Sequence, residues 1–321
     1  MTTAIGDCGR CASPLERGDL RCPVCNAAAP RTAAEDHEQT VVEVLRCSAC
    51  GAAVTYDVRS RAPACAFCGS VMRLETTDDP LEETQLEVPF TVDRASAEQA
   101  YREWLRGLGW FRPSDLGSAS RLETLTPLWW VGWVFDAAAT VTWAADSDAG
   151  ARRADWAPHG GQTELHFDDV VVSASRGLTA GETDRLIPSY DLGTVRDARR
   201  EPQPGTTAER FDLPRSVARG RVAAFIERLV RRRLEEEVIP GIRFRNVHAA
   251  VALRRLVTRR FAFPSYVLAF RYRGSLYRVV ISGQDARCVV GNAPYSTAKI
   301  LGVVLGGVAA LALVVALIAA L

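Results

Sequence analysis

The sequence has almost no lysine, no visible secretory leader and none of the common catalytic motifs. Lys299 is the one lysine among 321 residues, so a phosphate-binding GxxxxGK[ST] loop cannot be formed. HExxH and GxSxG are absent as well, and the four histidines are scattered. The start, MTTAIGDCGRC, has no apolar stretch of the kind found in signal peptides. These absences predict a protein that is not an enzyme and that works in a reducing cytosol.

One cluster of polar residues leaves two interpretations open. His166, Asp168 and Asp169 lie together at the start of a short β-branched run. They could hold a metal ion, or they could be exposed polar residues at the beginning of a strand.

The nine cysteines fall into two quartets and one single residue. Each quartet consists of two CxxC pairs, and a CxxC pair points two thiolates at one ion, so two pairs complete a tetrahedral site. Such sites leave no open position for water or substrate, which favours two structural Zn²⁺ ions over catalytic ones. The remaining cysteine, Cys288, is predicted to be a small core residue. The predicted ligands are Cys8, Cys11, Cys22 and Cys25 in one site, and Cys47, Cys50, Cys65 and Cys68 in the other.

The carboxyl-terminal run from Ile300 to Leu321 contains no charged residue. A helix of that length would measure roughly 33 Å, which suffices for a hydrocarbon core of about 30 Å. We therefore expect a single transmembrane helix over residues 299–321. Lys299 and Arg287 precede it, which places the amino-terminal bulk in the cytoplasm and the protein in the inner membrane. Gly302 and Gly306 form a GxxxG pattern that would allow two copies to pair.

Charge is divided unevenly along the chain, although the net charge is +1. Residues 76–198 carry 10 Arg and 21 acids, whereas residues 199–278 carry 19 Arg and 7 acids. Either the two regions neutralise each other within one fold, or they present separate faces to different partners.

The charge around the cysteines does not favour nucleic acid. Residues 5–28 hold three Arg and three acids, and residues 44–74 hold four Arg and one acid, before a tetrathiolate zinc adds about −2 to each. Phosphate binding generally needs a basic stripe, often with stacking aromatics, and Tyr56 and Phe67 are the aromatics available in the second module.

The remaining pattern predicts an α+β domain with a mostly antiparallel sheet. The helices are expected at 95–108 and Pro214–Val238, the latter with Val222, Phe225, Ile226, Leu229 and Leu234 on its buried face. Strands are expected at Leu128–Phe135, Ala138–Trp143, His166–Ser173, Ile242–Val257, Phe261–Tyr272, Leu276–Ile281 and Arg287–Val290, with a hairpin turn at Gly274-Ser275. The predicted organisation is a first zinc ribbon at 5–28, a second at 44–74, an acidic linker at 75–87, the α+β domain at 88–295 and the membrane helix.

Four stretches, in this order, resemble a bacterial family of TFIIB-type zinc-ribbon membrane proteins, which are often labelled primosomal or replication helicase-like. They are CSACGAAVTYD…CAFCG, TPLWWVGWVFDA, DDVVVSASRGL…LIPSYDL and FPSYVLAFRYRGSLYRVVISGQDARCVVGNAPYS. The resemblance implies a membrane adaptor that works beside SPFH (flotillin-like) or phage-shock-type proteins of envelope-stress systems.

The expected function is therefore a membrane-anchored cytosolic adaptor or scaffold that uses its zinc ribbons for protein–protein interaction. The alternative is a membrane-tethered nucleic-acid-binding protein related to transcription or replication.

Overall fold

The chain forms an α+β fold around one large, mostly antiparallel sheet. The computed structural model describes residues 4–16, 19, 21–29, 41–47, 53–55, 72–78, 82–150, 155–199 and 205–320. Within these residues there are three sheets: a two-stranded one, a three-stranded one and the large one of eight strands. The α+β class with a mostly antiparallel sheet is thus confirmed, but the predicted fold class as a whole is not, because it included a membrane helix and no helix of the described residues could span a membrane.

The two small sheets come first in the chain. The amino-terminal hairpin pairs β1 with β2, and the next sheet has the order β4-β3-β5. The strands of these sheets are β1 (Ala4–Asp7), β2 (Pro14–Glu16), β3 (Val41–Cys47), β4 (Ala53–Thr55) and β5 (Met72–Asp78).

The large sheet has the order β10-β7-β11-β12-β13, while β8 pairs with β7, and β6 joins β11 to β9. The pairings β10–β7 and β6–β11 are parallel and the others antiparallel. Its strands are β6 (Leu86–Glu87), β7 (Arg121–Ser147), β8 (Ala157–Ser173), β9 (Arg196–Asp197), β10 (Thr207–Ala208), β11 (Phe244–Tyr272), β12 (Ser275–Ser282) and β13 (Val289–Gly291).

Two very long central strands determine the shape of this sheet. Strand β7 has 27 residues and β11 has 29, and they pair from Phe244 opposite Ser147 to Arg271 opposite Arg121. The sequence pattern predicted each as two shorter strands, and that division is wrong. Charged residues lie between the predicted halves, and in the folded sheet they neutralise each other: Arg259 Nη2 lies 2.6 Å from Asp136 Oδ1.

Five helices complete the fold of the described residues. Alternation along β7 turns Leu125, Val131 and Trp133 to one face and Leu128 and Trp130 to the other. Helices α1 and α4 pack on the first face, and α3 with its following 3₁₀ turns packs on the second. The helices are α1 (Arg94–Gly107), α2 (Leu116–Ala119), α3 (Ala180–Leu186), α4 (Arg215–Arg233), which continues as one π turn (Leu234–Val238), and α5 (Thr297–Ala320).

The two predicted helices are confirmed, with one correction to a buried face. Helix α1 begins after Asp93, whose carboxylate accepts a hydrogen bond from Ser96 N at 2.7 Å. Helix α4 begins directly after Pro214. Phe225 of α4 is 39% exposed rather than buried, because the strict four-residue spacing of Ala218, Val222, Ile226 and Val230 forms the contact with the sheet.

The predicted turn between β11 and β12 is displaced by one residue. Tyr272 pairs with Ser275, so the two turn residues are Arg273 and Gly274. Both have positive φ, 47° and 86°, which is the signature of a type I′ hairpin rather than the type II′ expected at Gly274-Ser275.

The carboxyl-terminal helix α5 is attached to the domain through its first turn. Lys299 Nζ donates to the carbonyl oxygens of Trp110 and Arg112 at 3.0 and 2.9 Å. Of the helices in the described residues, none combines the length and the apolar character that crossing a bilayer demands. The predicted transmembrane helix over 299–321 is therefore contradicted, and the first turn that was counted as part of it is bonded to the folded domain. The predicted inner-membrane localisation stays a prediction.

Candidate metal centre

Two backbone turns of the same geometry present the first four cysteines. In the first, Ala12 N donates to Cys8 O at 2.8 Å, and in the second, Asn26 N donates to Cys22 O at 3.0 Å. Ala12 and Asn26 have φ of 53° and 58°, so each turn closes with a residue in the left-handed region. The two CxxC pairs therefore adopt the same local structure, and each turn presents two thiols to a common point.

The four sulfur atoms converge on one point. Cys8 Sγ lies 3.6 Å from Cys25 Sγ, and Cys11 Sγ lies 3.5 Å from Cys22 Sγ. All four Sγ atoms are within 4.8 Å of one another. Metal–sulfur bonds of about 2.3 Å in a tetrahedron put sulfur atoms about 3.8 Å apart, so the arrangement fits one tetrahedral ion. Among the described residues, this is the one group of potential ligands close enough to bind a metal.

The surroundings of Cys8 favour the thiolate that a metal requires. The backbone N–H groups of Arg10 and Cys11 point at the sulfur and lower the pKa of Cys8 to about 6, although burial acts in the opposite direction. The neighbouring thiol of Cys11 has its pKa raised instead, so the four cysteines share their protons unevenly and Cys8 is the one whose thiolate the backbone favours. A metal bound here would be held by all four cysteines and would fix the two turns against each other.

The module has only a small apolar core of its own. Leu15 is 1% exposed, and Cys8 and Cys22 are buried beside it, with Val24 packed against both this core and the sheet domain. A core of this size does not stabilise a fold alone, and small domains of this kind usually depend on a metal.

The module is held on the sheet domain by buried ion pairs. Glu16 Oε2 lies 2.8 Å from Arg215 Nη1, and Asp19 Oδ1 lies 2.6 Å from Arg219 Nη1. Both arginines are on the first turns of α4. The carboxylate side chains are 8% and 5% exposed, so these are not ordinary surface pairs.

A third acid and a third arginine complete this charge cluster. Arg260 of β11 lies 2.6 Å from Glu82, and Glu82 also lies 3.5 Å from Arg215. We call this group the docking cluster; among the described residues it brings together three carboxylates and three guanidinium groups, namely Glu16, Asp19, Glu82, Arg215, Arg219 and Arg260.

The docking cluster is one part of a wider neutralisation between the two halves of the chain. In the described residues, nine arginines of 199–278 pair with acids that precede residue 170. This confirms mutual neutralisation within one fold for these groups. The pairs are Arg199 with Glu87, Arg215 with Glu16, Arg219 with Asp19, Arg243 with Asp148, Arg245 with Asp146, Arg259 with Asp136, Arg260 with Glu82, Arg271 with Glu123 and Arg273 with Asp115.

The second predicted metal site lies outside the described residues. Cys50, Cys65 and Cys68 are not described, and Cys47 is described only as the last residue of β3. The strands around these cysteines do form a sheet, with Cys47 opposite Met72. Ligation by the second quartet stays a prediction.

The histidine and aspartates of β8 are not brought together as ligands. Asp169 Oδ1 lies 2.8 Å from Arg259 Nη2, and the carbonyl of His166 accepts from Arg233. Asp169 has φ of 57° at a bulge opposite Asp136, whose carboxylate accepts from Asp169 N. The bulge is therefore stabilised by contacts between β7, β8 and β11. Of the two interpretations of these residues, exposed polar residues on a strand fit the structure and a metal site does not.

Two features were not foreseen from the sequence. One is a shallow cleft of about 400 Å³ beside the start of α1, lined by residues that include Phe90, Asp93 and Tyr266. Its polar groups are already engaged, since Tyr266 Oη donates to Val92 O and Asp93 caps the helix. The other is Glu209, a buried carboxyl group that directly follows β10.

Gly302 and Gly306 lie on the exposed part of α5, where an added Cβ would meet no atom within 4 Å. Pairing of two copies through these glycines stays a prediction.

The comparison with curated proteins found one protein of similar sequence, which is named as uncharacterized. The chain is similar to "Uncharacterized protein YdjG" of Bacillus subtilis (strain 168), with 23% identity over 229 residues. The match covers 66% of this chain and 64% of the relative. No protein-family model matches the sequence, and no solved structure matches it. Activity, ligands and partners are therefore matters for proposal.

Proposed function

We propose that this protein is a non-enzymatic adaptor that binds partner proteins through its zinc ribbons and its sheet domain. The observation that carries the proposal is the convergence of four cysteine sulfurs within 4.8 Å in the first module. With all four coordination positions supplied by protein, an ion there has a structural role, because no position is open to substrate.

Zinc is the ion we propose for both quartets. Four thiolates in a tetrahedron suit Zn²⁺, and iron is the alternative that the same ligands would accept. Elemental analysis of the purified full chain tests this: two zinc ions per chain are expected, and bound iron would refute the assignment.

The partner classes we propose follow from the resemblance to zinc-ribbon membrane proteins: SPFH (flotillin-like) or phage-shock-type proteins. The first module is held on α4 by the docking cluster, so it would act with the sheet domain as one surface. The second module would supply a separate one.

Affinity capture of the full chain from cell extract tests the adaptor role. The double variant Cys47→Ser, Cys65→Ser removes ligands of the second quartet, and Cys288→Ser is the matched control because this cysteine lies in neither quartet. We expect proteins that are recovered with the wild type and the control and lost with the double variant. Recovery of nuclease-sensitive nucleic acid without a protein partner would support the nucleic-acid alternative instead.

A further inference from the structure

One end of the large sheet is covered on one face and open on the other. Three strands lie side by side there, with Gln162 of β8 opposite Thr142 of β7, and Thr142 opposite Ala250 of β11. The odd-numbered residues of β7, such as Val141, are buried under α4. The even-numbered residues point to the other side, and Val134 is the last of them in β7 that belongs to the core on that side. Beyond it lies a surface that we call the open face, whose central side chains are Ala138, Thr140, Thr142, Ala144, Ala250 and Ala252.

Small side chains make the open face flat. Thr142, Ala144 and Ala250 are exposed, so no described part of the chain covers them. Thr140 is buried, and the side chain of Arg254 lies over it, since Arg254 Nε donates to Thr140 Oγ1 at 3.0 Å. Two sheets that pack face to face lie about 10 Å apart, and alanine and threonine leave room for that approach. The open face therefore suits a second flat sheet.

The two edges of the open face carry opposite charge. Strand β8 contains three acids and no Lys or Arg, whereas residues 244–258 of β11 contain three Arg and no acid. One member of each set is paired within the chain, Asp169 with Arg259 and Arg245 with Asp146. The four that have no ion-pair partner among the described residues are Glu164 and Asp168 on β8, and Arg254 and Arg255 on β11.

These charges lie at nearly the same level along the strands. Glu164 pairs with Thr140, and Arg255 pairs with Ala138, the next residue of β7 on the same face. A two-fold axis along β7 exchanges the two edges of the open face without shifting them along the strands. It would therefore set the acidic edge of one copy against the basic edge of the other, twice in each pair. An axis across the strands would set acid against acid instead.

We propose that two copies of this protein associate reversibly through the open face, about a two-fold axis that runs along β7. Opposite charges that meet across such an interface stabilise the pair and fix its orientation, and like charges oppose it. The area limits the affinity, because three strands about 4.8 Å apart and about 30 Å long offer roughly 430 Å² per copy. A total of roughly 860 Å² is below the about 1,200 Å² of stable interfaces, so we expect a weak dimer with a Kd of about 10 μM to 1 mM. The inference depends neither on the metal ions nor on any adaptor partner.

Sedimentation velocity of the full chain tests the self-association. Between about 1 μM and about 1 mM protein, the average sedimentation coefficient should rise with concentration. Salt at about 0.5 M in place of about 0.05 M should weaken the dimer at least about threefold, because it screens the charges at the edges. A protein that stays monomeric over this range at low salt would overturn the proposal. Association that does not respond to salt would overturn it too, and would point to the apolar helix α5 or to another surface.

Charge reversal tests the two-fold arrangement. Glu164→Arg brings a cation against Arg254 and Arg255 of the other copy, and Arg255→Glu brings an acid against Glu164 of the other copy. Each variant alone should self-associate at least about tenfold more weakly than wild type. An equimolar mixture of the two variants should recover association to within about threefold of wild type, because unlike variants meet with opposite charges. Glu227→Arg, which reverses an exposed acid of α4 on the covered side of the sheet, should leave association unchanged. A mixture that associates no better than either variant alone would overturn the arrangement.

A longer side chain on the open face tests the contact without changing any charge. Thr142 lies on β7, next to the proposed axis, so Thr142→Gln would bring two longer side chains together at the centre of the contact. We expect it to weaken self-association at least about fivefold. Thr124→Gln is the matched control, because Thr124 is an exposed residue of the same strand outside the open face. Wild-type association of Thr142→Gln would contradict a contact through this face.

Discussion

Glu209 gives the sharpest test of how burial controls charge in this fold. Its side chain is buried next to β10, where Oε1 accepts hydrogen bonds from Arg176 N and Gly177 N, both at 2.9 Å. Oε2 has no hydrogen-bond partner among the described residues. Burial raises the pKa of Glu209 to about 7, and the Ser175 hydroxyl and the two N–H groups offset this only in part.

The sign of the effect on stability follows from proton binding. Because the pKa of Glu209 is higher in the folded state than the ordinary value of 4.5 for this side chain, the folded protein holds the proton more tightly than the unfolded chain. The free energy of unfolding therefore falls as pH rises from about 4.5 to about 7. Between pH 5 and pH 8 the loss from this one group is about 2.5 kcal/mol, at about 1.4 kcal/mol per pKa unit.

Replacing Glu209 with Gln removes this titration and keeps an oxygen that can accept the two N–H groups. Urea unfolding at several pH values should show that Glu209→Gln gains about 2.5 kcal/mol relative to wild type between pH 5 and pH 8. Glu164→Gln, which removes an exposed carboxylate on β8, is the control for the change in net charge. A constant difference between Glu209→Gln and wild type across this range would refute the reasoning.

Three further outcomes follow from the packing and the metal site. Tyr190→Phe should lower the free energy of unfolding by about 1–3 kcal/mol in urea, because it leaves the buried Trp130 Nε1 without its acceptor and removes one of two hydrogen bonds to the Pro264 carbonyl, which still accepts from Gly283 N. A neutral effect would contradict this. Gly283→Ala should cost about 1–3 kcal/mol in the same assay, since its Cβ would lie 2.6 Å from Pro264 Cβ, and a stabilised variant would show that the backbone yields freely. Cys22→Ser should remove one metal ion per chain in elemental analysis, and an unchanged metal content would place the ion elsewhere.

Local patterns predicted much of the fold correctly. The spacing of apolar residues located α1, and Pro214 marked the start of α4. The first cysteine quartet was predicted from the spacing of its two CxxC pairs, and its sulfurs do converge. In each case the information lies within a few residues of the chain.

The features of the fold that the sequence did not predict depend on contacts between residues far apart in the chain. The continuity of β7 and β11 rests on ion pairs such as Asp136–Arg259, which join residues far apart in sequence. The ion pair between Glu16 and Arg215 also joins residues far apart in sequence. The uneven distribution of charge along the chain was the one sequence feature that indicated such pairing. Glu209 gave no signal, because its burial comes from elements that meet only in the folded protein. The membrane-span prediction considered the composition of residues 299–321 without the contacts that attach Lys299 to the domain.

The pairing of β7 with β11 also dictates the order in which the molecule can assemble. Gly132 pairs with Phe261 at the middle of the sheet, and β8, α3 and α4 are all encoded between these two strands. Closing so long a segment has an entropic cost that must be met before the central contacts form, which makes such topologies slow to fold. During synthesis β7 can pair with β8 early, but its second edge must wait until β11 has left the ribosome. The hairpin β7–β8, with one edge unpaired in that interval, is the stage at which this chain is most exposed to wrong strand partners.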